Sequence, residues 1–462
     1  MRRNVLIVIL VAVAAAALLV GIMAARAQGS STLPSVTPTQ LLQAMATKAP
    51  QTKSISGDFA WSDNLMGTSA LPISGLGGQG NPASLTSLLA GGSGRLWLQG
   101  GKVRLEAQGS SGDMVVVAGP PTIWTYSSTT NTATEYTLPS GAGTTTSPEP
   151  STTASPSPTV NPADEIAAMV EKLAPTAKLE VTGQETVAGQ DAYILTLTPT
   201  STTTSVGAVQ VAVDGRTFVP LRVQVFAKGD AKAQLSAGFS SVSYSPIADG
   251  RFTFTPPAGA KVEHKALSLP SAISGLPGAA SGSGAGGPLP LMSPGSGSGV
   301  MAPQGLQALP GMKGATASRQ TKPLTMRRAK AKAARFGMTL MAAPRHGVAG
   351  LPFAGAQVVR GHDGAGPTAV LHYGRGFGSV VLVETTMKPA DLAKLQKQLA
   401  DLGGNLGSKA SPLRASTVNG APSYELDTSL LSVIGWQRGK VTLVSAGMVP
   451  RTELAAFAGS VH

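Results

Sequence analysis

The sequence predicts a mainly β protein with some α, made of one large antiparallel sheet covered by short helices, then a small α+β domain. Disordered linkers join these parts. Three observations carry this. Apolar and polar residues alternate with a period of two through much of the first 260 residues. Tracts rich in Gly, Ser, Thr, Pro and Ala interrupt the alternation, and such composition cannot bury a core. There is no cysteine, so the fold cannot rely on disulfides, and thiol chemistry and cysteine-based metal sites are excluded.

At the N-terminus, Arg2 and Arg3 precede an uncharged apolar run from Val5 to Ala25, and Ala25-Arg26-Ala27 offers small residues for a signal peptidase. The segment 1–27 is therefore an export segment. Two readings of it stand. A cleaved signal peptide fits the basic start and the A-x-A site. An uncleaved anchor fits the length, since a helix of this run rises roughly 30 Å, the thickness of a bilayer's hydrocarbon core. No cysteine follows the run for lipid attachment. Either way, the rest of the chain is expected outside the cytoplasm, in the periplasm or cell envelope.

A short helix comes next, over Gln40 to Lys48, with Leu41, Leu42 and Met45 on one face. Thr37 before Pro38 suits an N-cap followed by a first-turn proline. Strands follow at Ser54 to Trp61, Arg95 to Gln99 and Lys102 to Gln108, the last two joined at Gly100-Gly101 as in a tight hairpin. Met114 to Ala118, Thr122 to Ser127 and Thr132 to Leu138 continue the meander. A second helix is expected at Asp164 to Leu173, its two leading carboxylates suiting the positive helix end. Five more strands follow: Lys178 to Thr182, Ala192 to Thr198, Ala208 to Val213, Leu221 to Phe226 and Ala233 to Tyr244. Phe252-Thr253-Phe254 closes the set.

This alternation puts Leu96, Leu98, Val103, Leu105, Leu195, Val211 and Val223 on one apolar face. Arg95, Gln99, Arg104, Glu106, Gln210, Arg222 and Gln224 fall on the other, wet face. Something must cover the apolar face. It is either a core packed under the two helices and the 64–94 loop, or an open cavity for a lipid-like ligand, with those seven residues as its candidate lining. The assignment rests on strand parity, which a single bulge inverts.

A resemblance sharpens the choice. Gly94-Arg95-Leu96-Trp97-Leu98, Met114 to Val117, Thr122-Ile123-Trp124-Thr125-Tyr126 and Phe252-Thr253-Phe254-Thr255-Pro256-Pro257-Ala258-Gly259 together resemble, in order and spacing, the LolA-type lipoprotein carriers. The same fold occurs in RseB-type periplasmic regulators and in actinobacterial lipid-binding lipoproteins. The likeness covers about residues 34 to 264, with flexible insertions at 64–94 and 139–162. It implies an unclosed antiparallel β-barrel with an apolar concave side and helices as a lid. The partners it implies are lipid or lipoprotein acyl chains. Two departures stand out. Gly119-Pro120-Pro121 replaces the family's Asp-Gly turn. Gln99-Gly100-Gly101 lies where the carriers have an arginine that tethers the lid, so the carriers' shuttle mechanism does not transfer directly.

Residues 265–335 read as a disordered Gly/Pro/Ser linker ending in a basic tract. From Lys313 to Arg335 there are eight basic residues and no acidic one. These and the three arginines of the export segment account for most of the net charge of +13. The folded parts are nearly neutral, so no domain-wide basic footprint exists and nucleic acid is not an expected partner. The tract is either a solvated linker or an arm attracted to an anionic membrane surface, on which Met326 to Lys332 would form a short helix with Arg327, Arg328, Lys330 and Lys332 as the contact residues.

The small α+β domain is expected over 336–462. Its strands fall at Ala369 to Tyr373, Ser379 to Glu384, Ser416 to Val418, Pro422 to Leu426, Ser432 to Gln437 and Lys440 to Ser445. Helices are expected at Pro389 to Leu402 and Pro450 to Gly459. The segment Asn419 to Val444 resembles a small C-terminal domain attached to such sheets in exported bacterial proteins. In RseB-type regulators that domain contacts a membrane-bound anti-sigma factor, which makes a membrane-anchored protein an alternative partner.

No enzyme chemistry is expected, and no cofactor or metal. Of five histidines only His362 and His372 are near each other, beside Asp363 in Gly-rich sequence, and solvated histidines are the ordinary outcome there. Gly75-x-Gly77-x-x-Gly80 matches a dinucleotide fingerprint in letters but neither follows a clear strand nor opens a βαβ unit. The leading function is binding of a hydrophobic ligand for lipid or lipoprotein transport; the alternative is an envelope regulator.

Overall fold

The computed structural model describes residues 33–64, 91–109, 112–137, 170–171, 174–266, 323–341, 350–360, 366–386 and 413–461. The export segment, the 64–94 insertion between Leu65 and Ala90, the 139–162 tract, the 389–402 helix and most of the 164–173 helix lie outside these residues. Among the described residues, no helix is long and apolar enough to cross a membrane.

The chain opens with helix α1 (Pro38–Thr47). Thr37 caps it as expected: its hydroxyl accepts from the Gln40 amide at 3.2 Å, and the Gln40 side chain accepts from the Thr37 amide at 2.9 Å. Pro38 stands in the first turn, where its missing N–H costs nothing.

Twelve strands form one open sheet: β1 (Ser54–Asp63), β2 (Gly92–Gln99), β3 (Lys102–Gly109), β4 (Gly112–Gly119), β5 (Thr122–Ser127), β6 (Thr132–Thr137), β7 (Ala177–Val187), β8 (Gln190–Pro199), β9 (Val206–Asp214), β10 (Pro220–Ala227), β11 (Ala233–Phe239) and β12 (Lys261–Ala266). Their order is β12-β6-β5-β4-β3-β2-β1-β11-β10-β9-β8-β7. Two meanders are thus stapled where β1 pairs with β11, and the sheet is not closed into a barrel.

The structure differs from expectation at the sheet's end. β11 stops at Phe239, and Phe252-Thr253-Phe254 forms no strand. The chain from Ser240 to Gly259 instead crosses the polar face. Gln99 is bonded to the backbone of Ile247, and Arg104 donates to the carbonyls of Arg251 and Thr253. Arg251 sits 5.0 Å above the Trp97 ring, and Phe254 lies 5.4 Å from Trp124. Part of the face expected to be wet is therefore covered, with its arginine and glutamine bonded to the covering strap. The strap leads to β12, which pairs in parallel with β6, so the sheet is not wholly antiparallel.

A second sheet has seven antiparallel strands in the order β13-β14-β15-β19-β18-β17-β16. They are β13 (Phe353–Val359), β14 (Thr368–Tyr373), β15 (Val380–Thr386), β16 (Leu413–Val418), β17 (Ala421–Asp427), β18 (Ser432–Arg438) and β19 (Val441–Gly447). Helix α2 (Met326–Arg335) and helix α3 (Arg451–Gly459) pack against it. Pro450 is the N-cap of α3 rather than its first residue. The largest correction concerns the basic tract. Residues 326–335 are not linker but a helix whose Ala329 and Ala333 are fully buried in the second core. Leu324 also bridges Ala356 on β13 through two backbone hydrogen bonds. The second unit therefore begins near Pro323. Alanines one turn apart among arginines and lysines supply the narrow apolar stripe that docks.

Candidate ligand-binding face

Strand register decides which side chains share a face. Leu96 pairs with Leu105, and Leu98 with Val103. Leu195 pairs with Val211, Val211 with Val223, and Val223 with Ala237; Ala237 then pairs with Trp61, and Trp61 with Gly92. Directly paired residues point the same way, and residues two apart on a strand do so too. All seven candidate residues therefore lie on one face. The β10–β11 register shift falls after Val225, beyond this ladder. Leu96, Leu98 and Leu195 are buried, whereas Val103, Leu105, Val211 and Val223 are half-buried.

Helix α1 covers one part of this face. Leu41, Leu42 and Met45 pack on Tyr193, Leu195 and Val213, and Val170 joins them. The preceding segment is tied down: Tyr193 donates its hydroxyl to the Pro34 carbonyl at 2.8 Å, and the Gln184 amide holds both backbone groups of Leu33. Burial raises the Tyr193 phenol above its ordinary pKa, so it stays a donor.

The middle of the face is aromatic, and sequence reading left this out of the lining. Phe59 and Trp61 stack at 5.5 Å, and they cluster with Ala107, Ala237, Met114 and Val223. The rings lie over glycines of the next strand. A Cβ on Gly92 would come within 2.4 Å of the Trp61 ring, and one on Gly94 within 2.7 Å of Phe59. The Gly94 of the Gly-x-Leu-Trp motif thus has a physical reason: it makes room for a flat aromatic floor. The signal was available in β1, where Ile55, Gly57, Phe59 and Trp61 alternate.

At one edge the apolar face ends in charge. Glu263 on β12 is flanked by Lys261 and Lys265 at 2.8 Å each. Hydrogen bonds from Lys261 and Lys265 hold its carboxyl down at about 2. Such a charged edge strand discourages pairing with another chain. On the opposite face, a recess of about 330 Å³ is lined by Ser56, Asp58, Arg95, Trp97, Ser241 and Ser243. It contains none of the seven candidates.

The other candidates lie apart. Arg327, Arg328, Lys330 and Lys332 are all exposed on α2, and no ion pair within the described residues involves them. His372 is on strand β14, where burial lowers its pKa, rather than in a solvated loop; His362 and Asp363 lie outside the described residues. Among the described residues, no group of three or more His, Asp or Glu side chains is placed to hold a metal.

No protein-family model and no curated protein matches the chain. Solved structures similar to it include the MucA/MucB complex of Pseudomonas aeruginosa, 13% identical with a TM-score of 0.39, covering 92% of this chain and 98% of that one. Another is MucB in complex with MucA(peri), at 14% and 0.38 with the same coverage. A LolA superfamily protein of Nitrosomonas europaea is similar at 11% and 0.17, covering 48% and 99%. Both kinds of protein named by the sequence resemblance are thus among those similar to this chain.

Proposed function

We propose that the protein is an exported, non-catalytic binding protein that takes the acyl chains of a lipid or lipoprotein against the apolar face of the twelve-stranded sheet. One observation carries the reading. The seven aliphatic candidates and the Phe59–Trp61 floor form one face running from β8 to β3, far wider than the strip that α1 covers. Half-buried apolar surface of this kind gains about 25 cal/mol per Å² when a hydrocarbon covers it. The test is native purification followed by lipid extraction and mass spectrometry. Stoichiometric acyl species support the reading; their absence from protein that also fails to bind added fatty acid sinks it.

In this reading residues 1–27 export the chain to the periplasm or cell envelope, residues 34–264 bind the ligand, and the second unit starts near Pro323. The exposed cations of α2 form a fixed patch that faces an anionic membrane surface, each worth roughly 1 kcal/mol there. Replacing Arg327, Arg328, Lys330 and Lys332 together by Gln is expected to abolish flotation with vesicles containing phosphatidylglycerol. Flotation unchanged by those four substitutions argues against the patch. The second reading is a regulator that binds a membrane-anchored protein through the second unit. It is favoured by the contact of that unit with the ligand-binding sheet. Capture of one single-span membrane protein by the full chain supports it.

A further inference from the structure

The second unit meets the first through three loops at one end of its sheet, and they land on the apolar face. Phe377 comes from the β14–β15 loop, Leu430 from the β17–β18 turn and Met448 from the β19–α3 loop. They pack with Val209, Val225 and Leu235. Register places these three on the face that carries Val211 and Val223, one pleat further along β9 and β10.

The contact is built, not incidental. Leu430 is 2% exposed and Thr204 1%. The Thr204 hydroxyl lies 3.1 Å from the Phe377 carbonyl and 3.0 Å from that of Met448. The Ser205 amide donates to the Met448 carbonyl at 2.8 Å, and Ser429 donates to the Gln234 side chain. A Cβ on Gly378 would meet the Ser201 hydroxyl at 2.6 Å, so that glycine lets the loops approach. Polar pairs around an apolar centre fix the position of the second unit's loops.

Along β9 the apolar side chains then read as a sequence of environments. Val213 lies under α1, Val211 packs against the edge of that cluster, and Val209 lies under Leu430 and its neighbours. Positions two residues apart on a strand are about 6.6 Å apart. The row Leu195–Val211–Val223–Ala237–Trp61 therefore starts in the cluster under α1 and runs across the strands beside the loops of the second unit.

We infer that the binding site is composite: the half-buried Phe377 and Met448, anchored on the buried Leu430, form one wall of the acyl trough and contact the bound chain. The inference rests on the proposed acyl-binding function. It makes the second unit a determinant of which chains fit, and gives ligand occupancy a direct route to that unit.

The experiment uses the full chain and a 16-carbon fatty acid bearing a diazirine near its methyl end, with cross-links mapped by peptide mass spectrometry. Labelling both on the first sheet and within 374–379, 428–431 or 447–450 is the expected result. Labels confined to the first sheet and α1 overturn the composite site while leaving acyl binding intact. No labelling anywhere, with no fatty acid bound, overturns both. A second measurement covers labels lost for reactive reasons. Met448→Trp, at a half-buried position and checked by its unfolding midpoint, is expected to weaken the 16-carbon acid at least tenfold and to spare a 10-carbon acid. Equal affinities for both acids in wild type and variant speak against the wall.

Discussion

The two sheets solve the same problem differently. The seven-stranded sheet buries its face in one continuous core, where Tyr373, Leu371, Leu382, Ile434, Leu443, Leu454 and Phe457 have no exposure. Among the described residues, α2 and α3 both pack on it. The twelve-stranded sheet splits its apolar face into separate clusters under α1, around Trp61 and under Leu430. Half-buried valines and Leu105 lie among them. Among the described residues one face is closed into a single core, while the other leaves valines and Leu105 half-buried, the surface that the proposed ligand would cover.

Truncation tests this contrast most strongly. Phe457 packs edge-on against Tyr373 with ring centroids 4.9 Å apart. Phe457→Ala is expected to cost about 3–5 kcal/mol, read as a lower midpoint of the second unit in urea. Leu105→Ala, on half-buried surface, is expected to cost well under half of that and to lower affinity for acyl chains instead. Equal losses of stability at the two sites would erase the distinction between core and binding face.

A smaller effect sharpens it from the other side, because the second core buries a carboxyl group with one oxygen unpartnered among the described residues. Glu384 is fully buried. One carboxyl oxygen accepts from the Met341 amide at 2.7 Å, and the other has no partner among the described residues. Burial raises its pKa to about 7, against smaller opposing pulls from the Met341 amide and from Lys330 on α2. Between the ordinary value of 4.5 and 7 only the folded state holds this proton. Its contribution therefore falls as pH rises through that window and is level above it, a loss of roughly 3 kcal/mol. Glu384→Gln keeps the acceptor for Met341 and removes the titration. Melting curves at pH 5 and pH 8 are expected to show the wild type losing stability relative to the variant at the higher pH. Parallel shifts in both proteins would remove Glu384 from the account.

Much of this was legible in the chain. The alternation in β2, β3 and β8 to β10 gave the apolar face, because one covered side imposes a period of two on every strand. The cap at Thr37-Pro38-Thr39-Gln40 was readable because it is a local hydrogen-bond pattern. What escaped depends on distant partners. β13 alternates poorly, as both Ala356 and Gly355 are buried there. Helix α2 carries so many charges that composition read it as linker, and only its docking surface reveals the two alanines. Phe377, Leu430 and Met448 lie in loops, where no periodicity marks them, so a wall made by three loops has no sequence signature. The Phe59–Trp61 floor was in reach, since Gly94, which faces Phe59, opens the Gly-x-Leu-Trp motif on which the resemblance rests.

The smallest effect concerns the lid. Among the described residues α1 is the one full helix on the first sheet, and its ten residues bury only Leu41, Leu42 and Met45. Isolated helices of that length are marginal, so the cap and the docking residues hold it in place. Thr37→Ala removes the hydroxyl that satisfies the Gln40 amide and is expected to cost about 1 kcal/mol. Because Thr37 is exposed, its hydroxyl is bonded to the Gln40 amide and it is not among the candidate lining residues, a bound chain is expected to lose no contact. The substitution should therefore speed release of a fluorescent fatty acid several-fold while leaving the midpoint of the second unit unchanged. If release stays at the wild-type rate although the first unit is weakened, α1 is a fixed part of the core rather than a movable cover, and chains enter elsewhere along the row from Leu195 to Trp61.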